Sequence, residues 1–472
     1  MYKIILLDDN KFLKSILATN LFKIELIILD NKCIPNIKKL YKKNLSNTIL
    51  YPKFPSDIEF NNIHTSNYNL TYEEIKIFKN TQLKVERYYH RLTSDLGIIQ
   101  YRYYTALSFW LNFFQNNKID LLIITDLEHG GHWDSIPIDI AIHYNIPVYN
   151  IAVASGFGKK SIHQILHLND RTFLDLSKAN LPQVNLQKYL KALTQDTTNF
   201  LHHLKYPYHK KIKNILRSFR YSIASPHKIF YRDSSSHINH FLEKYKFHHQ
   251  ITYVRNLQKY YDQISDPSPS IQENYIYYPL HFEPEASIMV RTPLENQLYI
   301  IKLVAELLPK GWKLYVKEHP HQFTIYKDHD FFLKNIEFYR TPKYYQQIKN
   351  TKNTVLINSK IRGLNLIQNC KATISITGSS ILEAITFKKP VIIFGDSLNF
   401  SELLSDTFKV TSLETLSQAL QKIEQGNWKP NYSDLEDIIN KHTFEINNQN
   451  YDTSLQNLFM TISKHHKRQY NA

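Results

Sequence analysis

The sequence predicts an α/β protein built of two doubly wound domains facing a central cleft, and three observations lead there. Short apolar, β-rich runs alternate with stretches of helical periodicity in both halves of the chain. A stretch with two prolines and little apolar content, Ser265-Asp-Pro-Ser-Pro-Ser270, separates the two alternating regions. The length of 472 residues also exceeds what one ordinary core accommodates.

In the first half, Lys3–Leu7, Glu25–Leu29, Asp120–Thr125 and Pro147–Ala152 read as strands, with helical periodicity over Tyr72–Leu92 and Tyr104–Asn116. The run from Ile119 through Ser135–Tyr144 to Asn150 is a strand–helix–strand unit, which implies a parallel sheet covered on both faces. After the linker the alternation resumes. Asn274–Tyr278, Lys313–Lys317, Thr354–Ile357, Ala372–Thr377 and Pro390–Phe394 are strands, and Pro293–Leu308 and Ser380–Phe387 are helices. The last stretch reads as helical over Thr411–Gln425 and Tyr432–Asn440. The expected division is a first Rossmann-like domain over 1–200, a basic helical connection over 201–270, a second Rossmann-like domain over 271–410, and C-terminal helices over 411–472.

Composition narrows the classes. Hydrophobic residues at 43% and charged residues at 21% are ordinary for a globular chain able to bury sizeable cores. Cys33 and Cys370 are the only cysteines, which argues against a disulfide framework and against a zinc site. The first apolar run meets Asp8 and Asp9 at once and reads as a strand, not a signal peptide. No stretch approaches the roughly 20 apolar residues of a membrane span. The expectation is a cytoplasmic protein. The net charge of +16 calls for an anionic partner, and Lys205–Lys259 holds twelve Lys or Arg against Asp233 and Glu243. A solvated helical surface is the default reading of that segment, ahead of contact with anionic lipid and then of nucleic acid.

Open α/β sheets bind ligands beyond the carboxyl ends of their strands, so the turns there are where chemistry is sought. In Thr377-Gly-Ser-Ser-Ile-Leu-Glu383 a buried strand turns through Gly378 into a helix beginning at Ser379 and Ser380. Free amides and hydroxyls at such a start suit a phosphate, and Glu383 one turn on suits ribose hydroxyls. The competing reading is a capping box of Ser380 and Glu383, which leaves the glycine turn unexplained. In Leu314-Tyr-Val-Lys-Glu-His-Pro320, His319 is a donor or acid for a leaving phosphate and Lys317 a neutralising cation, against a charged strand end at the surface. In Tyr278-Pro-Leu-His-Phe-Glu-Pro-Glu285, His281, Glu283 and Glu285 fit a sugar site, against an interdomain hinge. In Thr125-Asp-Leu-Glu-His-Gly-Gly-His-Trp-Asp134, the residues Asp126, Glu128, His129, His132 and Asp134 compete for the role of general base toward an acceptor hydroxyl. A metal site from His129, His132 and Asp134 matches no familiar ligand spacing. Asp8 and Asp9 are weaker candidates.

The order Pro279–Glu285, Val316–Pro320, Thr377–Ala384 and Lys389–Gly395 resembles bacterial capsule and surface-polysaccharide biosynthesis proteins. These are glycosyltransferases or their relatives with the two-Rossmann GT-B fold, and they include capsular Kdo-transferase-like enzymes. The resemblance is good over about residues 270–400 and looser over Asp120–Val148, where this chain has Glu128-His-Gly-Gly-His132 and Asn145-Ile-Pro147. The turns also resemble those of GT-B sialyltransferases that hold CMP-sugar donors, which implies His319 facing the donor phosphate with Ser379 and Ser380 binding it. UDP-, GDP- and dTDP-sugars remain open.

The implied activity is inverting, metal-independent transfer of a sugar from a nucleotide-sugar donor to a growing surface polysaccharide or lipid-linked glycan. No DxD-type motif sits at a clear strand end, and the nucleotide-sugar is a substrate, so no cofactor is expected. Glu128, Asp126, His132 and His319 are the expected catalytic residues. His281, Glu285, Lys317, Thr377, Gly378, Ser379, Ser380 and Glu383 are the expected donor-binding residues. Expected partners are a nucleotide-sugar donor, a glycan or glycolipid acceptor and, peripherally, the inner face of the cytoplasmic membrane, but not nucleic acid. The rivals are a nucleotide-sugar epimerase of the same fold and a non-catalytic glycan-assembly protein.

Overall fold

Buried apolar strands in this chain form two sheets, the second parallel throughout and the first parallel except at the strand Ile162–His167, which pairs antiparallel with its neighbours. Each sheet reverses its direction of growth at its centre. The structure is a computed structural model that describes residues 1–7, 12–29, 33–42, 44–52, 68–89, 95–125, 132–154, 162–195, 252–283, 288, 294, 296–323, 336–394, 398–446 and 451–470. The first sheet holds β1 (Tyr2–Leu7), β2 (Phe22–Leu29), β3 (Ile49–Pro52), β4 (Leu121–Ile124), β5 (Val148–Val153), β6 (Ile162–His167) and β7 (Thr172–Phe173). The second holds β8 (Tyr275–Pro279), β9 (Lys313–Lys317), β10 (Thr354–Ile357), β11 (Ala372–Ser375), β12 (Val391–Phe394) and β13 (Thr407–Val410). A last strand, β14 (Thr443–Glu445), returns to the first sheet.

Strand order in the first sheet is β14-β6-β5-β4-β1-β2-β3, and in the second β10-β9-β8-β11-β12-β13. In both, two strands follow the central strand, β1 or β8, to one side and the later strands grow to the other. This is the dinucleotide-fold order, with its switch points between β1 and β4 and between β8 and β11. The chain is thus GT-B-like in architecture, with two doubly wound Rossmann-type domains. Ile4–Leu7, Leu121–Ile124 and Val391–Phe394 are buried throughout, as strands covered on both faces must be.

Helices cover these faces and start where the sequence supplies caps. Asp95 accepts the Ile98 amide at 3.1 Å to open Leu96–Asn116, whose Trp110, Tyr103 and Leu107 enter the first core. Asn296 accepts the Tyr299 amide at 2.9 Å to open Gln297–Leu307, which buries Ile300, Ile301 and Val304 on the second sheet. Thr341 caps Pro342–Asn350 with proline at the first helical position.

Beyond β3, β6, β7 and β13, short strands that the sequence reading did not name, three features differ from it. The expected run of C-terminal helices contains β14, which pairs antiparallel with β6, and the helix Tyr451–Tyr470 buries Leu455, Leu458 and Phe459 in the first core. Leu186–Gln195, expected with the first domain, shares a core with Tyr275, Tyr277 and Ile381 of the second. The Ser265–Ser270 stretch is laid along the sheet edge, where Asp266 bridges Ile357 and its amide donates to the Leu356 carbonyl at 2.7 Å.

Candidate functional site

β8 and β9 stay paired to their ends, with Pro279 opposite Lys317, whereas β8 and β11 are paired only over Ile276–Tyr277 and Ala372–Thr373. The sheet therefore opens at its switch point, and the turns after β8 and β11 close the gap with one hydrogen bond. The Thr377 amide donates to His281 Nε2 at 3.0 Å. An imidazole nitrogen that accepts is unprotonated, so the proton of the neutral ring is assigned to Nδ1. Burial holds His281 down at about 4, and the Arg340 charge adds to that, so the ring is neutral at physiological pH.

The glycine turn is tighter than a bare anion cradle. The Gly378 amide donates to Ser375 Oγ at 3.1 Å, and a Cβ on Gly378 would stand 3.0 Å from that oxygen and 3.4 Å from His281 Nε2. Two amides of the expected phosphate site, Thr377 and Gly378, are therefore already paired within the chain. Ser380 is buried and its hydroxyl donates to Ser375 Oγ at 3.4 Å. Ser379 is the N-cap residue, without a side-chain cap bond, so the Ser380–Glu383 capping box does not form. Instead the Ser379 hydroxyl donates to Glu383 Oε1 at 3.4 Å, and burial raises the Glu383 carboxyl above its ordinary range.

Lys317 and Glu318 are both buried, so the reading of a charged surface strand end does not hold. Lys317 Nζ donates to the Glu318 carbonyl at 3.3 Å, and burial lowers the ammonium to about 8. His319 is partly exposed, and its Nδ1 accepts the His321 amide at 3.1 Å. That assigns the proton to Nε2, making it a hydrogen-bond donor. Burial, followed by the charges of His321, His281, Lys317 and Arg340, holds His319 well below the ordinary histidine value. In the free protein it is therefore a neutral donor and not an imidazolium acid. Of these groups Lys317 and Arg340 are cations at neutral pH, and Arg340 is paired with Glu283 and Glu318.

The residue that joins these turns is one the sequence did not flag. Arg340, fully buried, donates from Nε to Glu318 Oε2 at 2.8 Å, from Nη1 to Glu283 Oε2, and from Nη2 to the His281 carbonyl at 2.9 Å. Its guanidinium lies 4.6 Å from the Tyr344 ring centre. Gln297 completes the turn after β8: its Oε1 accepts the His281 amide at 2.6 Å and its Nε2 donates to Glu283 at 2.8 Å. Gln322 accepts the Glu283 amide at 3.0 Å, and Tyr345 donates to Glu318 at 2.7 Å. Glu283, expected as sugar-binding or solvated, is a buried structural carboxylate. The one hint in the sequence was Thr341-Pro342, a helix start that fixes Arg340 just before it.

Of the remaining expected residues, Asp126, Glu128, His129 and Glu285 lie outside the described residues, as do Asp8 and Asp9. His132 begins the helix His132–His143, but its side chain and that of Asp134 are also outside them. Topology still places the strands that lead into Asp8 and Asp126 side by side at the first switch point, where the Thr125 amide donates to the Leu7 carbonyl at 3.0 Å. Most of the basic segment lies outside the described residues, and Arg255 and Lys259 fall on helix 252–264. Among the described residues no helix is long and apolar enough to cross a membrane. The two domains touch near the site. Tyr339 donates to the Arg87 carbonyl of the first at 3.3 Å, and Gln164 of β6 donates to the Leu398 carbonyl, beyond β12, at 3.0 Å.

Residues 172–408, just over half of the chain, match the family described as capsule polysaccharide biosynthesis protein. Among solved structures, the chain is similar to the beta Kdo 2,7 transferase KpsC of Thermosulfurimonas dismutans, with 12% identity, 75% of this chain and 88% of that one covered, and a TM-score of 0.29. It is also similar to the UDP-GlcNAc 2-epimerase of Neisseria meningitidis, with 11% identity, 98% and 99% covered, and a TM-score of 0.26. The spinosyn rhamnosyltransferase SpnG complexed with spinosyn aglycone gives 10% identity, 98% and 100% covered, and a TM-score of 0.26. No curated protein matches by sequence.

Proposed function

The chain belongs to the capsule polysaccharide biosynthesis protein family, and from that premise we propose that it is a glycosyltransferase acting on a nucleotide-sugar donor and a surface-glycan or lipid-linked acceptor. The observation that carries the reading is the convergence at the second switch point. His281, His319 and the Thr377–Glu383 turn come from three different strand ends and are tied to one another through His281 Nε2 and Arg340. A buried and preorganised edge of this kind, carrying the Lys317 ammonium and the His319 donor, suits the diphosphate or monophosphate of an activated sugar.

In the proposed reaction the acceptor oxygen attacks the anomeric carbon as the bond from that carbon to the phosphate oxygen breaks. The electron pair passes to the phosphate, and the acceptor proton passes to a carboxylate of the Asp126–Asp134 turn. Single displacement of this kind inverts the anomeric centre. His319 Nε2–H donates to the departing phosphate and the Lys317 ammonium offsets its charge. Ser379 and Ser380 bind the same phosphate, and Glu383 accepts from ribose hydroxyls. With the Lys317 ammonium and the His319 donor in place the transfer is proposed to proceed without a metal ion. A CMP-linked acidic sugar is the favoured donor on the resemblance of the His-Pro and Gly-Ser turns, and the basic 205–259 segment is proposed to hold the protein near anionic membrane or acidic glycan.

Thermal-shift measurements against CMP, UDP, GDP and dTDP test nucleotide binding, because a ligand of the folded state raises its stability. Donor turnover is then followed with and without acceptor, and with EDTA present. The reading predicts sugar transfer only with acceptor, unaffected by EDTA. Turnover left intact in both His319→Ala and Glu383→Ala would sink it, and conversion of donor alone would point to an epimerase.

A further inference from the structure

The amino edge of the second sheet, away from the cleft, carries a second set of binding chemistry. The helix Leu413–Glu424 ends at Gly426, whose φ of +68° is open to glycine without strain. The Gly426 amide donates to the Ile423 carbonyl and the Asn427 amide to the Lys422 carbonyl, each at 3.1 Å. This reversal, a Schellman ending, lays Trp428 against Phe408 with ring centres 5.6 Å apart, and Lys422 stands 5.5 Å over the other ring, that of Phe408. Trp428 is left partly exposed and lines two adjoining concavities, one on each side.

The first concavity, about 460 Å³, lies where β8, β9, β11 and β12 begin and is lined by Trp312, Lys371, Lys388, Lys389 and Lys429. None of those four lysines is ion-paired among the described residues, and Glu424 is the single carboxylate in the lining. The second, about 540 Å³, runs along β13 and is lined by the amides of Gln418, Gln421, Gln425 and Asn427, with one carboxylate, Asp406, offset by one ammonium, Lys422. An aromatic platform with amides on one side and unpaired ammonium groups on the other has a matching ligand chemistry. The ring face packs against the C–H face of a pyranose, amides bond hydroxyls in both directions, and lysines offset carboxylates.

We propose that the two concavities form one groove that binds an acidic saccharide chain at a second, non-catalytic site around Trp428. A nucleic-acid strand fits less well, because the amide half of the groove lacks the continuous cation track that a phosphate backbone requires. The groove would hold a growing anionic glycan while its end is worked on elsewhere. That role rests on the transferase reading, whereas binding itself does not.

Binding of polygalacturonate, of neutral dextran and of oligo(dT) to the full chain is measured by tryptophan fluorescence, without nucleotide. The expected result is binding of polygalacturonate over the other two, weakened about tenfold by Trp428→Ala. Lys371→Ser/Lys389→Ser/Lys429→Ser should weaken it as well, while Lys38→Ser/Lys39→Ser/Lys349→Ser, which removes the same charge elsewhere, should not. Nucleotide thermal shifts should be unchanged in all variants. Equal loss in both lysine variants, equal binding of oligo(dT), or no effect of Trp428→Ala in a folded protein would overturn the proposal. Failure of the nucleotide shifts alone would count against the transferase reading and leave the groove standing.

Discussion

His281 Nε2 accepts the Thr377 amide at 3.0 Å, joining the turns after β8 and β11 across the point where the second sheet reverses its order. That amide is buried in its pairing, and removal of the acceptor leaves a donor without a partner. His281→Ala should therefore destabilise the chain by about 1–3 kcal/mol and widen the turn that carries Ser379 and Glu383. Urea unfolding reads the first effect, and loss of the nucleotide-induced thermal shift reads the second.

Arg340 holds Glu283 and Glu318 together with no exposure to solvent. Arg340→Met would leave two buried carboxylates uncompensated and should cost about 3–5 kcal/mol. Arg340→Lys keeps the charge but loses the planar fork that reaches both carboxylates, so it should fall between wild type and the methionine variant. Denaturant midpoints for the three proteins order these outcomes. A methionine variant as stable as wild type would show that the carboxylates find other partners.

His281 sets a pH window. Its folded value of about 4 lies below the ordinary 6.5, so the unfolded chain binds more protons between those limits. Stability is therefore full above about pH 6.5 and falls as pH drops toward 4, by on the order of 3 kcal/mol from this residue. His319, also depressed, adds loss in the same direction. Thermal midpoints between pH 4 and 7 should rise more steeply in wild type than in His281→Asn.

Lys317 sets the alkaline side. Lowered to about 8, it is a cation at neutral pH and loses its charge above that value. If it offsets donor phosphate, kcat/KM for the nucleotide-sugar should fall above pH 8, and Lys317→Met should lower the plateau and abolish that limb.

The C-terminal helix is part of the first domain's core. Phe459 is fully buried there, with its ring 6.2 Å from that of Phe22 and 6.4 Å from that of Phe12. Phe459→Ala should cost about 3–5 kcal/mol in urea unfolding, although residue 459 is far in sequence from β1 and β2.

By itself the sequence located the continuous apolar strands and pointed to the turns beyond them as the place to seek chemistry, but it missed β3, β6, β7, β13 and β14. Parallel strands covered on both faces must be continuous apolar runs, so Lys3–Leu7 and Pro390–Phe394 stood out. The polar residues that end such runs mark the turns: His281, Lys317, His319 and Thr377–Glu383. Periodicity reports that a face is buried, but not what buries it. The tertiary structure alone decided that β14 and Tyr451–Tyr470 return to the first sheet and that the Ser380–Glu383 capping box gives way to Ser379 as N-cap. It alone decided that Arg340, which lies 57 residues from Glu283 and 22 from Glu318, holds the site's turns together. An ion pair across such separations has no local period to betray it, because its geometry exists only once the ends of β8 and β9 lie beside the turn that precedes the helix Pro342–Asn350.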